Sequence, residues 1–595
     1  MGGLVLLLVV LALACVALRA PSRVALGVVL GTFLLVPGLI APPGAPGVLT
    51  VHRVVLVAAL LGVARQCRRG TLSWQVFRPP PITARLGLVV GLFAVLGVAL
   101  AQPTTDPSAA ARNWQSWLAQ VLVVAGVAVL CRASGSVGHA MTALVLAAGA
   151  AVLVTFAERL TGTSYARAWY HLVPSMLGTD PAQVLATRGG RVRVRGAADF
   201  TLAWAWSGAA LVPVALVGAG LVRGWRRAAA LTVAAGLAVS VALTYSRGVV
   251  LPLLLVALLC LVAVRDRAVR VPVLASLLIA SAAALMSTSL RNQFSENVDR
   301  GSIDVRVQRF PALTDLVAAH PFRGLGMSGL ASLGFPTTDS SYLLAYGETG
   351  MLGLAALLAL LLCAVLVPLR GIRGPDPGTR LVCTGAGLGA VTLVVGAFTF
   401  DAFTTLSVAE LFWALVAIAG VAAENTAVAT RELTWPARAA ALAGLALLGT
   451  VLALAAPSHA ARTWQFDTLD AYDATVFAPT YTGRQLRTSL CEVVQARLAG
   501  TDVSVRCRES GVGPDDDAPG QGVIRVQASA SGPGEQDAEA AIASVHGMRQ
   551  LRSVHLQSRD GWITGTPSVL RTAPAWLPLL GALVLLPTPS RRRTT

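Results

Sequence analysis

Lysine is absent from this 595-residue chain, so all 47 of its basic positions are arginine. The lack reflects compositional bias and assigns no function, yet it fits the absence of any Gly-rich loop ending in Lys-Ser/Thr that would cradle nucleotide phosphates. Charge of either sign is scarce: 13% of residues are charged and 55% are hydrophobic, where a soluble domain carries about 25% charged residues. Mean hydropathy is +0.69. An ordinary water-soluble protein is excluded. A net charge of +18 would suggest nucleic acid as the partner of a soluble protein. Here the arginines sit in short clusters between apolar runs, which is a membrane-topology pattern with no nucleic acid implied. Basic residues are also missing ahead of the first apolar stretch, Gly2–Ala17, and another apolar run follows almost at once. We therefore read that stretch as a spanning helix rather than a cleaved signal.

The apolar runs fall near 2–18, 24–41, 50–64, 84–101, 116–131, 138–156, 200–222, 228–243, 248–264, 271–288, 344–369, 381–400, 403–422, 437–456 and 573–589. Several are shorter than the roughly 20 residues of an untilted crossing, so their boundaries are soft. The expected fold is an all-α polytopic membrane protein of about 15 transmembrane helices, with a small extracytoplasmic α/β domain before the last helix. Alternate connections hold arginine: Arg19 and Arg23; Arg65, Arg68 and Arg69; Arg132; Arg223, Arg226 and Arg227; Arg265, Arg267 and Arg270; Arg370, Arg373 and Arg380; Arg431 and Arg438; and Arg591–Arg593. The positive-inside rule assigns these to the cytoplasm. The N-terminus is then outside, the C-terminus cytoplasmic, and segments 157–199, 289–343 and 457–572 lie outside the cell membrane.

Two external loops are arginine-rich on the side where positive charge is disfavoured. Segment 157–199 contains Arg188-Gly-Gly-Arg191-Val-Arg-Val-Arg195-Gly196. Segment 289–343 contains Arg291, Arg300, Asp304, Arg306 and Arg309, then Ala319-His320-Pro-Phe-Arg-Gly-Leu-Gly-Met-Ser and Thr338-Asp339-Ser-Ser-Tyr342. Gly347-Glu348-Thr-Gly350 follows directly. Long loops cross regardless of charge, so a solvated loop is one reading. An anion site at the outer membrane surface is the other, because guanidinium groups grip phosphate oxygens through paired hydrogen bonds. Thr244-Tyr-Ser-Arg247-Gly is pinned between two apolar runs. Arg247 there either snorkels to the interface or faces a polar cavity.

At these residues the chain resembles the bacterial O-antigen ligase and O-antigen polymerase superfamily. The elements that carry the resemblance are Ser246-Arg247-Gly248; Arg306 or Arg309; Pro321-Phe-Arg-Gly324-Leu-Gly326; Asp339-Ser-Ser-Tyr342-Leu343; and Glu348-Thr-Gly350-Met-Leu-Gly353. Arg195-Gly196 resembles a further arginine-glycine stretch of the family with altered spacing, and the likeness covers about residues 80–422. The resemblance implies an extracytoplasmic glycosyltransferase that polymerises or ligates polyprenyl-pyrophosphate-linked glycans onto a glycan or lipid-linked acceptor. It implies no cofactor: the donor is already activated, no nucleotide loop is present, and the central loops hold no Asp-x-Asp pair for a metal. Arg306 and Arg309 would neutralise the departing pyrophosphate, with Arg195, Arg247, Arg191 and Arg291 binding it. Asp339 stands where ligases carry histidine and would be the general base, with His320 as second candidate or a turn cap, and Tyr342 beside them. Glu348 orients a partner or caps the next helix; Gly347, Gly350 and Gly353 let backbones approach. A flippase of lipid-linked oligosaccharide and a non-catalytic envelope scaffold are the competing classes.

Residues 1–436 form the membrane glycosyltransferase-like part, and residues 437–595 a two-helix anchored module around domain 457–572. Within that domain, Leu486–Leu498 and Ala538–Met548 have helical spacing, while Val503–Cys507, Val523–Ala528, Ala474–Phe477 and Ser553–Leu556 read as strands. Asp515–Asp517 are a solvated turn rather than a metal site. Cys491 and Cys507 are the domain's two cysteines. An oxidising exterior favours their pairing, which would add roughly 3 kcal/mol. The module resembles polysaccharide co-polymerases, the chain-length regulators, which implies length control fused to polymerisation and a homo-oligomer through this module.

Overall fold

The computed structural model describes residues 2–41, 49–77, 107–171, 187–188, 191–246 and 249, positions 313–314, 317–318 and 321–332, residues 340–372 and 376–424, and four strands between 461 and 558. Helices α1 (Gly2–Arg19), α2 (Ser22–Leu35), α3 (Val51–Arg68), α4 (Pro107–Ala133), α5 (Val137–Thr161), α6 (Tyr165–His171), α7 (Thr201–Leu221) and α8 (Trp225–Ala242) come first. The one-turn helix α9 (Gly329–Ser332) precedes α10 (Ser341–Ile372), α11 (Pro377–Gly396) and α12 (Leu406–Glu424). Each long helix overlaps the apolar run the sequence displays there. Among the described residues six helices, α4, α5, α7, α10, α11 and α12, contain a stretch long and apolar enough to cross a membrane. The runs at 84–101, 248–264, 271–288, 437–456 and 573–589 lie outside the described residues.

Local chemistry sets the helix ends. Ser136 caps α5 by accepting the Gly138 N–H, and Gly162 closes it in the left-handed conformation at φ 68°. Asp376 caps α11 by accepting the Thr379 N–H at 2.7 Å, with Pro377 in the first turn. The Thr379 bond holds the Asp376 carboxyl below the ordinary carboxylate range.

Helices α7 and α12 occupy the centre, and nearly all of their residues are buried. Around them α11 packs on both, α8 on α7, α4 on α12, and α1–α3 form a cluster joined to α5 and α4. The α11–α7 contact is close because α11 meets its neighbour through glycine. A Cβ on Gly389 would lie 2.6 Å from the Ala210 carbonyl, and one on Gly396 would lie 2.6 Å from the Trp206 ring. Small residues that admit a second backbone are how helices associate where lipid offers no hydrophobic gain.

The bundle has two chemically different ends. One carries the exposed arginines Arg19, Arg23, Arg65, Arg68, Arg69, Arg223, Arg226 and Arg380, against Arg159, Arg167 and Arg323 exposed at the other. The Arg226 guanidinium lies 5.8 Å from the Trp225 ring there, a basic–aromatic pair of the interfacial kind. The other end gathers the buried polar groups described below.

The C-terminal strands β3 (Ala461–Thr468), β4 (Val503–Ser510), β5 (Val523–Ser531) and β6 (Val554–Ser558) form an antiparallel sheet in the order β4-β5-β3-β6. Three of these coincide with strands expected from the sequence. Strand β3 was not expected, although Trp464 and Phe466 alternate there with Gln465 and Asp467. The expected strand at 474–477, both expected helices and Cys491 lie outside the described residues, as does the side chain of Cys507. No disulfide joins the described cysteines.

Candidate functional site

Three turns build the polar end. The first follows α8. Thr244 and Ser246 are buried there, and Tyr245 adopts φ 52°. Arg193, which follows a two-stranded hairpin formed by β1 (Thr187–Arg188) and β2 (Arg191–Val192), reaches across to it. Its Nε donates to the Thr244 carbonyl at 2.8 Å and a terminal nitrogen donates to Ser246 Oγ at 3.0 Å. The residue before Arg247 is thereby tied to the arginine-rich stretch. Arg193→Ala removes both bonds and is expected to cost about 1–2 kcal/mol, measured as a lower thermal unfolding temperature in detergent.

The second turn carries Arg195, which is 7% exposed. The Arg195 and Gly196 N–H groups both donate to Glu158 Oε2 at 2.7 Å, in the last turn of α5. The Arg195 guanidinium donates to Ser164 Oγ at 2.7 Å and to the Asp199 carbonyl at 3.4 Å. The stretch is folded into the protein, where the sequence left a solvated loop open. Asp199 Oδ1 in turn accepts the Tyr170 hydroxyl at 2.7 Å and the Leu39 N–H at 3.2 Å. Burial pushes the Asp199 carboxyl above the usual carboxylate range, against the opposing pull of the Tyr170 and Leu39 bonds. Burial likewise raises the Tyr170 hydroxyl, with the Asp199 charge adding to it.

The third turn is Pro321–Ser328, which docks onto α10. Leu325 N–H donates to the Gly347 carbonyl at 3.0 Å and Gly326 N–H to the Glu348 carbonyl at 2.7 Å. Met351 N–H returns to the Pro321 carbonyl at 2.9 Å. The two backbones meet at a break in α10, where Gly350 has φ 63° and ψ −163°. Glu348 Oε1 accepts the Ser328 N–H at 2.8 Å. The Glu348 carboxylate thereby holds the docked turn against α10. Below it Leu313, Val317, Leu325 and Leu330 form a small core with Leu343, Leu344 and Tyr346. Ser341 Oγ donates to Asp401 Oδ1 at 3.0 Å, and the Tyr342 hydroxyl donates to the Val394 carbonyl at 2.8 Å. Tyr342 therefore ties α10 to α11.

Among the described residues, Tyr245 and Ser328 are the two non-glycine positions with left-handed backbone. Each stands in one of the turns that the sequence motifs single out. Non-glycine residues in that conformation persist only where their surroundings enforce it, and such strain concentrates at functional sites.

Of the residues expected at the site, the structure thus places Arg195, Glu348 and Tyr342 at this end, with the backbone of Arg191 in β2. Arg247, Arg291, Arg306, Arg309, His320 and Asp339 lie outside the described residues. Sequence reasoning passed over a fourth group. His52 and Arg53, in the first turn of α3, both bond Glu410 of α12: His52 Nδ1 meets Oε2 at 2.5 Å and Arg53 Nε donates to Oε1 at 3.2 Å. All three are buried. The available signal was their charge itself, since ionisable residues inside apolar runs are rare and pair with one another.

No group of three or more His, Cys, Asp or Glu side chains suited to a metal occurs among the described residues. No curated protein matches the chain significantly. Residues 231–358, which contain most of α8, the Thr244–Ser246 turn, the docked loop and the N-terminal part of α10, match the model of a family described as O-antigen ligase. That match supports placing the chain with the O-antigen ligase and polymerase superfamily, and with it a glycan-assembly function in the membrane.

Proposed function

We propose that the chain is an extracytoplasmic glycosyltransferase that polymerises or ligates glycans carried on a polyprenyl pyrophosphate. The observation that carries this reading is the coincidence of the matched stretch, residues 231–358, with two of the three turns at the polar end. That end faces the outside if the exposed arginines of the opposite end follow the positive-inside rule, which also puts the N-terminus outside and the C-terminus in the cytoplasm.

We assign the chemistry to the side chains that the sequence motifs single out. Arg247, Arg306 and Arg309 neutralise the pyrophosphate as the anomeric carbon–oxygen bond breaks, with Arg191, Arg195 and Arg291 completing the anion site. Preorganised charge aimed at a developing anion stabilises such a transition state more than any other single effect. Asp339 takes the proton from the acceptor hydroxyl as its oxygen attacks the anomeric carbon, with His320 as the second candidate. Glu348 touches no reacting atom; it keeps the Pro321–Ser328 turn on α10. Neither a nucleotide nor a metal is needed. The C-terminal module would regulate product length and join copies of the chain, a reading that rests on its placement before a final apolar run and on loose motif likeness.

The test is purified protein in nanodiscs supplied with a lipid-linked oligosaccharide. New glycosidic bonds are expected, falling by about 10²–10⁴-fold in Asp339→Ala and by at least about 10²-fold in Arg306→Ala and Arg309→Ala. Passage of the substrate across the bilayer without any new glycosidic bond would overturn the reading in favour of a flippase.

A further inference from the structure

The geometry points to His52 as a protonated positioning residue that fixes, through the end of α2, the Asp199–Arg195 arm of the site. The second half of this inference rests on the proposed function; the first does not.

Hydrogen-bond accounting carries it. His52 Nε2 lies 2.9 Å from the Val36 carbonyl, and Nδ1 lies against Glu410 Oε2. A carbonyl oxygen can only accept, so Nε2 bears hydrogen. A neutral imidazole has a single N–H, and here a second proton must lie between Nδ1 and the carboxylate. The pair thus binds one proton more than a neutral ring and an ionised carboxylate hold. Arg53 donates to the other oxygen of Glu410, which favours the carboxylate form and leaves the proton on His52. The charged groups facing the ring are Arg53 on its own helix, Glu410 on α12 and, through electrostatic interaction, Asp199 ahead of α7. The Phe33 ring of α2, 5.4 Å away, covers one side.

The proton reaches the site through a short chain of contacts. Val36, which accepts the Nε2 hydrogen, caps the end of α2. Three residues on, Leu39 N–H donates to Asp199 Oδ1, and the Asp199 carbonyl accepts the Arg195 guanidinium. On loss of a proton the ring keeps a single N–H, which the Glu410 carboxylate, as the stronger acceptor, retains at Nδ1; the Nε2 bond to Val36 is the one lost, and that chain loosens. Transfer should therefore weaken on the alkaline side.

The experiment uses the full chain in nanodiscs with ¹⁵N-labelled histidine, the His52 signal being the one lost in His52→Gln. In the native chain both ring nitrogens are expected to be protonated at neutral pH, and in Glu410→Gln only one. In the transfer assay Glu410→Gln should raise KM for the lipid-linked donor about tenfold with kcat nearly unchanged, and should move the alkaline decline to lower pH. A singly protonated His52 in the native chain overturns the inference whether or not the chain transfers glycan. A doubly protonated ring whose loss in Glu410→Gln leaves KM and the pH profile unchanged overturns the positioning role. Absence of transfer in the native chain, with a doubly protonated ring, overturns the positioning role together with the proposed function and leaves the proton assignment standing.

Discussion

Gly350→Val is expected to cost about 3–5 kcal/mol of stability and to abolish glycan transfer. The backbone of Gly350, at φ 63° and ψ −163°, lies in a region that side-chain-bearing residues essentially do not occupy. Space is denied as well. A Cβ there would sit 2.5 Å from the Phe322 carbonyl carbon, and a Cβ on the facing Gly324, at φ 68°, would sit 2.5 Å from the Gly350 nitrogen. Relief requires the Pro321–Ser328 turn to lift from α10. That would break the bonds of Leu325, Gly326 and Met351 across the joint and withdraw Ser328 from Glu348. The measurements are thermal unfolding, for the energy, and the transfer assay, for the function. Met351→Ala, beside the break on an exposed side chain, should leave unfolding within about 0.5 kcal/mol of the native chain.

Glu410→Leu is the second large effect, with an expected loss of about 3–5 kcal/mol. The substitution fits a helix that is apolar and buried on all sides, and by hydropathy alone it would be harmless. It strands His52 and Arg53 in an interior where Glu410 satisfied both. A buried charge whose partner has been removed costs far more than the intact pair contributes. Replacing all three residues with apolar side chains of similar volume should restore most of the lost stability. Unfolding of the single and triple variants in the same detergent distinguishes this from a packing defect, which the triple variant would not repair.

Much of the architecture was legible because the bilayer imposes it. Backbone groups in hydrocarbon must bond within their own helix, so an apolar run such as 200–222 or 403–422 had one structural outcome, and the helices found there, α7 and α12, differ from the runs by only a few residues at their ends. The Glu348-x-Gly350 motif was legible as a place of close backbone approach. Its partner surface was not, because only the docked structure shows that the Gly324 turn is what approaches. The polar network was hidden for a different reason. His52 and Glu410 are 358 positions apart, and nothing local in either helix announces the other. For Arg195 a run of alternating arginines left a solvated loop and an anion site both open, and its place in the fold depends on Glu158, far away in the sequence, offering one carboxylate oxygen to two successive backbone N–H groups.

The central claim is that the polar end of this bundle holds a lipid diphosphate while a saccharide leaves it. Cryo-electron microscopy of the chain in nanodiscs with a non-transferable polyprenyl pyrophosphate tests this most directly. The account predicts diphosphate density within hydrogen-bond reach of Arg247, Arg306 and Arg309, beside the turn that Arg193 clamps. Density among Arg19, Arg65 and Arg223 at the opposite end, or guanidinium groups of the external loops dispersed into water around an empty end, would contradict it.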